Sequence, residues 1–199
     1  MEKELKPTKW VSPEIVCSYP NLAQPASEDY GGKYKVSVPL PKSDEKSFAL
    51  LKEVIKNAAE NKWGTKARDL VGKSIKVFVE DCDDDPRYSE DPVYQGCVRF
   101  AAKSGRRPGC VIRKSATEVE PVPLEDIEDM FYPGAIIRVS ITAYGTETGG
   151  SRTVAFTLNN VIFVRHGERI GAGSTPTEDF ADILGEINSA DEQIQPDLF

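Results

Sequence analysis

The sequence has little of the chemistry that zinc-dependent and nucleophilic enzymes use. It contains one histidine, His166, and four cysteines that form no Cys-x-x-Cys pair. A structural zinc site needs several such ligands at short spacing, and a nucleophilic triad needs a histidine beside a serine or cysteine. The sequence therefore predicts reduced, partly buried thiols, no metal site, no cofactor and no enzymatic activity.

Long apolar segments are also missing. No run approaches the ~20 apolar residues that cross a bilayer, and the first ten residues lack the apolar segment of a signal peptide. The composition, 39% hydrophobic and 29% charged, is typical of a globular chain rather than a disordered one. We expect no membrane association and a cytoplasmic location.

Negative charge is concentrated at one end of the chain. The formal net charge is −7, yet residues 176–199 hold seven acids and no base, so residues 1–175 contain 25 acids and 25 bases. A block of this kind is usually a solvated tail or an interaction arm. The sequence predicts a neutral folded body followed by a disordered acidic C-terminal tail.

A basic segment, residues 94–114, lies between two acidic segments. It carries six cations and no carboxylate, whereas residues 80–91 carry seven acids and residues 118–129 carry six. The pattern predicts a hairpin of two strands, near residues 95–103 and 109–114, with arginines in the turn. The six cations are Arg99, Lys103, Arg106, Arg107, Arg113 and Lys114.

Apolar periodicity predicts a mainly β protein with few helices. Residues 33–40, 74–80 and 135–144 alternate apolar and polar side chains, as half-buried strands do. A helical stripe predicts one helix that begins at Ser43 as N-cap and stops at Gly64.

The second half of the chain adds further predicted elements. Residues 118–131 have the spacing of a short helix, and a polar turn at 145–151 leads to a strand over 152–164. We expect that strand to bend at Asn159-Asn160. A capped start at Thr175 predicts a second short helix.

The order of these elements favours an OB-fold-like five-stranded barrel. An added strand and helix would precede it, and a short helix would be inserted before its last strands. A β-sandwich would produce similar alternation. The predicted organisation is an N-terminal arm at 1–32, the barrel domain at 33–175, and a short helix with the acidic tail at 176–199.

An OB barrel binds single-stranded nucleic acid by combining a cationic groove with aromatic faces on which bases stack. Tyr94 and Tyr144 are the stacking candidates, and Phe100 fits the core and a stacking platform equally well. The alternative is that the cations only keep the surface solvated. The predicted DNA-binding residues are Tyr94, Arg99, Phe100, Lys103, Arg106, Arg107, Arg113, Lys114, Arg138, Tyr144 and Arg152.

The acidic segment at 80–91 suggests a rival function. Asp81, Asp83 and Asp85 have the first spacings of a calcium loop, but Pro86 stands where that loop needs glycine. We therefore interpret the segment as a solvated loop. A metal-dependent nuclease that uses these acids is the alternative.

The C-terminus ends in Pro-Asp-Leu-Phe, an apolar and aromatic ending on an acidic segment. Its carboxylates could occupy a cationic groove when DNA is absent, and its last two residues could dock on another protein. A non-enzymatic adaptor that acts through this tail is a further alternative, and self-association into a homo-oligomer stays open. The predicted partner-binding residues are Asp191, Glu192, Asp197, Leu198 and Phe199.

Two segments carry a family resemblance: YPGAIIRVSITAYG at 132–145 and TVAFTLNNVIFVRHGERIGAG at 153–173, followed by Asp179-Phe180. They resemble a tailed-phage family of single-stranded-DNA-binding proteins with an OB-fold, once known only as a domain of unknown function. The similarity covers about residues 30–183. The resemblance implies DNA binding during phage replication, recombination or repair in the cytoplasm of a bacterial host. It also implies an acidic tail that recruits replication or recombination proteins.

Overall fold

The structure is a computed structural model that describes residues 5–171. Within that range eleven strands form one mixed sheet, ordered β1-β10-β11-β7-β4-β3 along its main path. The strands are β1 (Lys9–Val11), β2 (Ile15–Val16), β3 (Ser18–Asn21), β4 (Tyr34–Pro41), β5 (Ile75–Val77), β6 (Glu80–Asp81), β7 (Cys97–Ser104), β8 (Gly109–Arg113), β9 (Val119–Pro121), β10 (Ile136–Thr148) and β11 (Ser151–Arg165). The α-helices are α1 (Glu45–Trp63) and α2 (Ile127–Met130).

The centre of the sheet is the long antiparallel pair of β10 and β11. Alternate residues of β10 are buried, as the sequence predicts, because one face of the pair covers the core. Ser140 pairs with Asn160 and Ile141 pairs with Leu158, so Asn159 is the extra residue of a β-bulge. The predicted bend of β11 is therefore confirmed. The predicted polar turn at 145–151 is wrong in length, since β10 continues to Thr148 and only two glycines separate the strands.

The basic segment does form two strands, but they are not a hairpin. β8 pairs in parallel with β11 from Gly109 to Ile112, and its antiparallel neighbour is β9. β7 pairs with β4 along its whole length and meets β11 at one position, where Lys103 lies opposite Thr157. The turn between β7 and β8 thus carries the chain along β11 rather than back on itself.

Residues 9–22 contribute to the core. β1 and β2 pair with β10, and β3 pairs with β4, so residues 15–21 connect the two edges of the main sheet path. Trp10, Ile15 and Leu22 are buried in the main core cluster. The separate N-terminal arm predicted for residues 1–32 is therefore wrong from Lys9 onward.

Helix α1 packs on β10 and begins one residue later than predicted. The N-cap is Asp44 rather than Ser43, because the Asp44 carboxylate accepts a hydrogen bond from the backbone N–H of Ser47 at 3.0 Å. The predicted stop at Gly64 is confirmed, with a φ of 89°. At Gly145 of β10 a Cβ would lie 2.8 Å from the side chain of Lys62, so glycine permits the close approach of the helix.

The predicted helix over 118–131 is mostly wrong. Its first part is strand β9, a 3-10 turn covers Leu124–Asp126, and only Ile127–Met130 is α-helical. Pro121 and Pro123 explain the difference, because proline lacks the N–H that a helix interior requires. Helix α2 nevertheless places Ile127 in the core.

The predictions for the end of the chain fall outside the described residues. These are the second short helix near Thr175 and the acidic tail over 176–199. In the part of the chain that the structure describes, no helix is both long enough and apolar enough to cross a membrane.

Candidate nucleic-acid interface

A row of lysines crosses the outer face of the sheet. Lys9 on β1 lies opposite Thr142 on β10, which lies opposite Thr157 on β11. Thr157 is in turn paired with Lys103 on β7, and Lys103 with Lys35 on β4. Since neighbouring strands are about 4.8 Å apart, the row spans roughly 19 Å across five strands. Three cations from distant parts of the sequence are thus aligned.

A groove of about 380 Å³ lies beside this row. Phe78, which follows β5, and Tyr144 of β10 both line it, and their side chains are 65% and 45% exposed. Lys33 and Lys103 line the same groove. Two solvent-accessible aromatic residues therefore share one groove with two cations, and Lys103 and Tyr144 of the predicted DNA-binding residues are among them.

The two adjacent arginines of the basic segment lie beside the groove. Gly105, which lines the groove, directly precedes Arg106 and Arg107, and both arginines are exposed. The Arg107 guanidinium is 5.9 Å from the centre of the Tyr34 ring. The backbone N–H of Arg106 donates to the Ser104 hydroxyl at 3.0 Å, which fixes the start of the turn.

Two of the predicted stacking residues are buried. Tyr94 is 1% exposed, and its hydroxyl is hydrogen-bonded to Ser18 and, at 3.3 Å, to Ser37. Burial raises the pKa of the Tyr94 phenol. Phe100 is also 1% exposed, with its ring centre 4.4 Å from that of Phe156. Because neither ring offers a free face, both assignments as stacking platforms are wrong.

Arg99 points to the outer face but is covered. Its guanidinium lies 3.5 Å from the Glu80 carboxylate and 4.4 Å from the centre of the Tyr88 ring, and its side chain is 18% exposed. A phosphate could reach Arg99 only after Glu80 had moved aside. The structure therefore separates Arg99 from the accessible cations of the groove.

The acidic loop that covers Arg99 is anchored by ion pairs. The Lys42 ammonium lies 2.5 Å from Asp81 and 2.8 Å from Asp83, and its hydrogen bond holds the pKa of Asp83 low. Hydrogen bonding from Arg87 lowers the pKa of Asp85 to about 2. Asp81, Asp83 and Asp85 are thus paired with cations. Across residues 5–171 no three His, Cys, Asp or Glu side chains are grouped to hold a metal ion.

The prediction of a freely solvated acidic loop is wrong in one respect. Cys82, Tyr94 and Cys97 form a small buried cluster, against which Tyr88 and Val93 pack. The loop therefore has its own apolar anchor on the outer face of β4 and β7.

Three predicted cations lie far from the groove. Arg113 and Lys114 are at the end of β8, beyond the Ile112–Phe163 pair, and Arg138 pairs with Ile162. From Thr157 to Phe163 the strand covers about 20 Å. Arg138 also lies 3.7 Å from the Glu14 carboxylate. These residues form no continuous surface with Lys103.

Arg152 occupies an intermediate position. It precedes the groove residue Ala155 on β11 by about 10 Å. Its guanidinium is 5.8 Å from the centre of the Trp63 ring, and its Nε is 3.7 Å from Glu147. Trp63 packs against the core and donates a hydrogen bond to Glu147 at 3.3 Å.

Four residues of this surface were not predicted from the sequence: Lys9, Lys33, Lys35 and Phe78. The sequence could have indicated Phe78, because it is two residues from Lys76 and therefore lies on the polar side of its alternating segment. An exposed aromatic side chain of this kind offers a face on which a base can stack. The lysines left no comparable signal, since their alignment depends on strand register.

The four cysteines are buried and none forms a disulfide, as predicted. Burial raises the pKa of Cys17 to about 12 and that of Cys82 and of Cys110 to about 11. These thiols stay protonated at neutral pH.

The sequence GERIGAG at 167–173 begins with Gly167, a position that has no room for a side chain. A Cβ on Gly167 would lie 2.2 Å from the carbonyl oxygen of Gly134. The Tyr132 hydroxyl donates to the Gly167 carbonyl at 2.9 Å. Gly167 therefore allows the end of β11 to pack against the turn before β10, which is a structural role.

Comparison with known proteins identifies the family of this chain. Residues 8–194 match the family described as the single-stranded-DNA-binding protein of Enterobacter phage Enc34. The chain belongs to this family. The resemblance inferred from the sequence is thereby confirmed.

Two solved structures and one sequence illustrate the family and its fold. The Enc34 protein in complex with single-stranded DNA has a TM-score of 0.68 and 22% identity, covering 82% of this chain and 90% of that one. Protein gp2.5 of bacteriophage T7, a single-stranded-DNA-binding protein, has a TM-score of 0.54 and 16% identity, covering 96% and 97%. Putative protein p50 of Acyrthosiphon pisum secondary endosymbiont phage 1 is 26% identical over 174 residues, 83% of this chain and 89% of the relative. The mainly β, OB-like fold is confirmed, and the sandwich alternative is excluded.

Proposed function

We propose that the protein binds single-stranded DNA without sequence preference, in the groove between Phe78, Tyr144 and Lys103. The observation that carries the proposal is the presence of exposed aromatic rings and unshielded cations in one groove on an OB-like barrel. Proteins that bind single strands combine these two features. Membership of the Enc34 family supports the same function, since its Enterobacter phage member has been solved with single-stranded DNA.

Each part of the groove then has a distinct task. Phe78 and Tyr144 offer ring faces on which bases stack, and every base has such a face, so binding tolerates any sequence. Lys33 and Lys103 neutralise phosphates within the groove, and Arg106 and Arg107 do so at its edge. Each phosphate contact releases counterions, which makes the affinity depend on salt.

The biological setting that fits this activity is phage DNA replication, recombination or repair in the cytoplasm of a bacterial host. The acidic C-terminal residues add two tasks to the proposal. Asp191, Glu192 and Asp197 compete with DNA for the groove, and Leu198 with Phe199 recruits replication or recombination proteins.

The proposal is tested by titrating labelled oligothymidylate with the protein at two salt concentrations, with a duplex of equal length as control. Arg106→Ala/Arg107→Ala is compared with Arg113→Ala/Lys114→Ala, which removes the same charge about 20 Å away. We expect single strands to bind more tightly than duplex. The first variant should reduce the slope of log K against log salt by about 1.4, because two phosphate contacts are lost. The second should match the wild type.

Two results would contradict this assignment. If the Arg113/Lys114 variant lost the salt dependence instead, the interface would lie at the other end of β8. If the wild type bound no oligonucleotide even at low salt, DNA binding would be refuted and the adaptor function would be the remaining alternative.

Removal of residues 189–199 should tighten DNA binding at low salt. The deletion removes three carboxylates that compete for a cationic groove, and the gain should vanish at high salt, where screening weakens both interactions. The control is the full-length chain with Asp191→Asn/Glu192→Gln/Asp197→Asn, which should reproduce the gain without shortening the chain. Equal affinities at low salt for all three proteins would refute competition by the tail.

A further inference from the structure

A second cavity, of about 560 Å³, lies on the other side of β4 from the groove. Lys35 lines this cavity and is paired across strands with Lys103, which lines the groove. Lys33 of the groove directly precedes β4 and is two residues from Lys35. The groove and the cavity are therefore connected by one short ridge of lysines.

Tyr19 at the cavity is held in an unusual conformation. It is the one non-glycine residue with positive φ, 46°, in the part of the chain that is described, and its side chain is 62% exposed. A bulky residue in the left-handed region is strained, and such positions cluster at ligand sites. Tyr19 lies in a bulge of β3, between Ser18 opposite Ser37 and Asn21 opposite Lys35, and its exposed side chain gains little from packing.

The cavity has the chemistry of a nucleobase site. Pro20, Phe131 and Tyr132 contribute apolar and aromatic surface, and Lys35 and Glu128 are its charged lining residues. A phosphate would be repelled by Glu128, whereas an N–H group of a base, such as N3–H of thymine, can donate a hydrogen bond to that carboxylate. The arrangement suits a base inside the cavity and its phosphate on the lysine ridge.

We propose that bound single-stranded DNA continues from the groove over Lys103 and Lys35 into this cavity, where a base stacks on Tyr19. The inference rests on the proposed function and extends the interface beyond the groove. It makes Tyr19 a DNA-contacting residue and adds at least one nucleotide to the length that each protein covers.

The test compares the wild type with Tyr19→Asn and Tyr19→Phe on oligothymidylates of about 4 to 16 nucleotides, the range that single OB folds cover. Asparagine tolerates the left-handed region and lacks the ring, whereas phenylalanine keeps the ring. For the wild type, affinity should rise at the length that first spans the groove and the cavity. Tyr19→Asn should lack that rise and bind the long oligonucleotides about tenfold more weakly. Tyr19→Phe should resemble the wild type.

Leu124→Ala is the matched control, since Leu124 is an exposed apolar residue near α2 that does not line the cavity. It should leave the length dependence unchanged, and thermal melts should show all variants folded. If Tyr19→Asn kept the wild-type rise, the cavity would not be a DNA subsite, although the groove would still bind DNA. If the wild type bound none of the oligonucleotides, the proposed function itself would fail.

Discussion

Phe78→Ala/Tyr144→Ala should abolish most of the affinity for single-stranded DNA. Each stacked base is worth about 1–3 kcal/mol, so the double variant should lose at least about 2 kcal/mol of binding free energy. That loss corresponds to roughly a thirtyfold increase in Kd. Fluorescence anisotropy of a labelled oligothymidylate measures it directly. The loss should persist at high salt, because stacking, unlike phosphate contact, releases no counterions.

The control for this variant is Leu50→Ala/Val119→Ala. Leu50 and Val119 are apolar and more than half exposed, and neither lines the groove. Their replacement should leave Kd and its salt dependence unchanged. Wild-type affinity in the Phe78/Tyr144 variant would mean that the bases stack elsewhere on the protein.

Phe100→Ala should lower the free energy of unfolding by about 3–5 kcal/mol, as large truncations of buried aromatic residues do. The ring packs between Trp10 and Phe156, with centre-to-centre distances of 6.1 Å and 4.4 Å. Its removal leaves a cavity where β1, β7 and β11 meet in the core. Denaturant unfolding followed by tryptophan fluorescence measures the change.

Phe100→Leu separates the core role from a stacking role. Leucine refills most of the volume, so stability should largely recover, while a stacking platform would be lost in both variants. We expect the folded fraction of each variant to bind DNA with wild-type affinity. A lower DNA affinity for Phe100→Leu, with stability unchanged, would mean that Phe100 contacts DNA.

Local periodicity explains which features the sequence could predict. In β10 the alternation of Ile137, Val139 and Ile141 with polar residues determines which face is buried, whatever the strand pairs with. The glycine stop of α1 and the bulge at Asn159 are likewise local signals. Tyr94 was misassigned because it lies in the turn before β7, where strand parity no longer applies.

The interface itself depends on pairings that no local pattern contains. Lys9, Lys35 and Lys103 belong to β1, β4 and β7, and only the register of these strands with β10 and β11 aligns them. The prediction that β7 and β8 form a hairpin is wrong for the same reason, because each of these strands pairs with β11 and not with the other. The alternation of apolar and polar residues places Phe78 on the polar side of its segment. Only the fold brings Tyr144 of β10 into the same groove.

The ion-paired acidic loop over Arg99 restricts the direction in which a bound DNA strand could cross the sheet. A phosphate backbone that followed β7 away from Lys103 would meet Glu80. The favourable path therefore crosses the strands, along the row from Lys9 to Lys35, instead of running parallel to them.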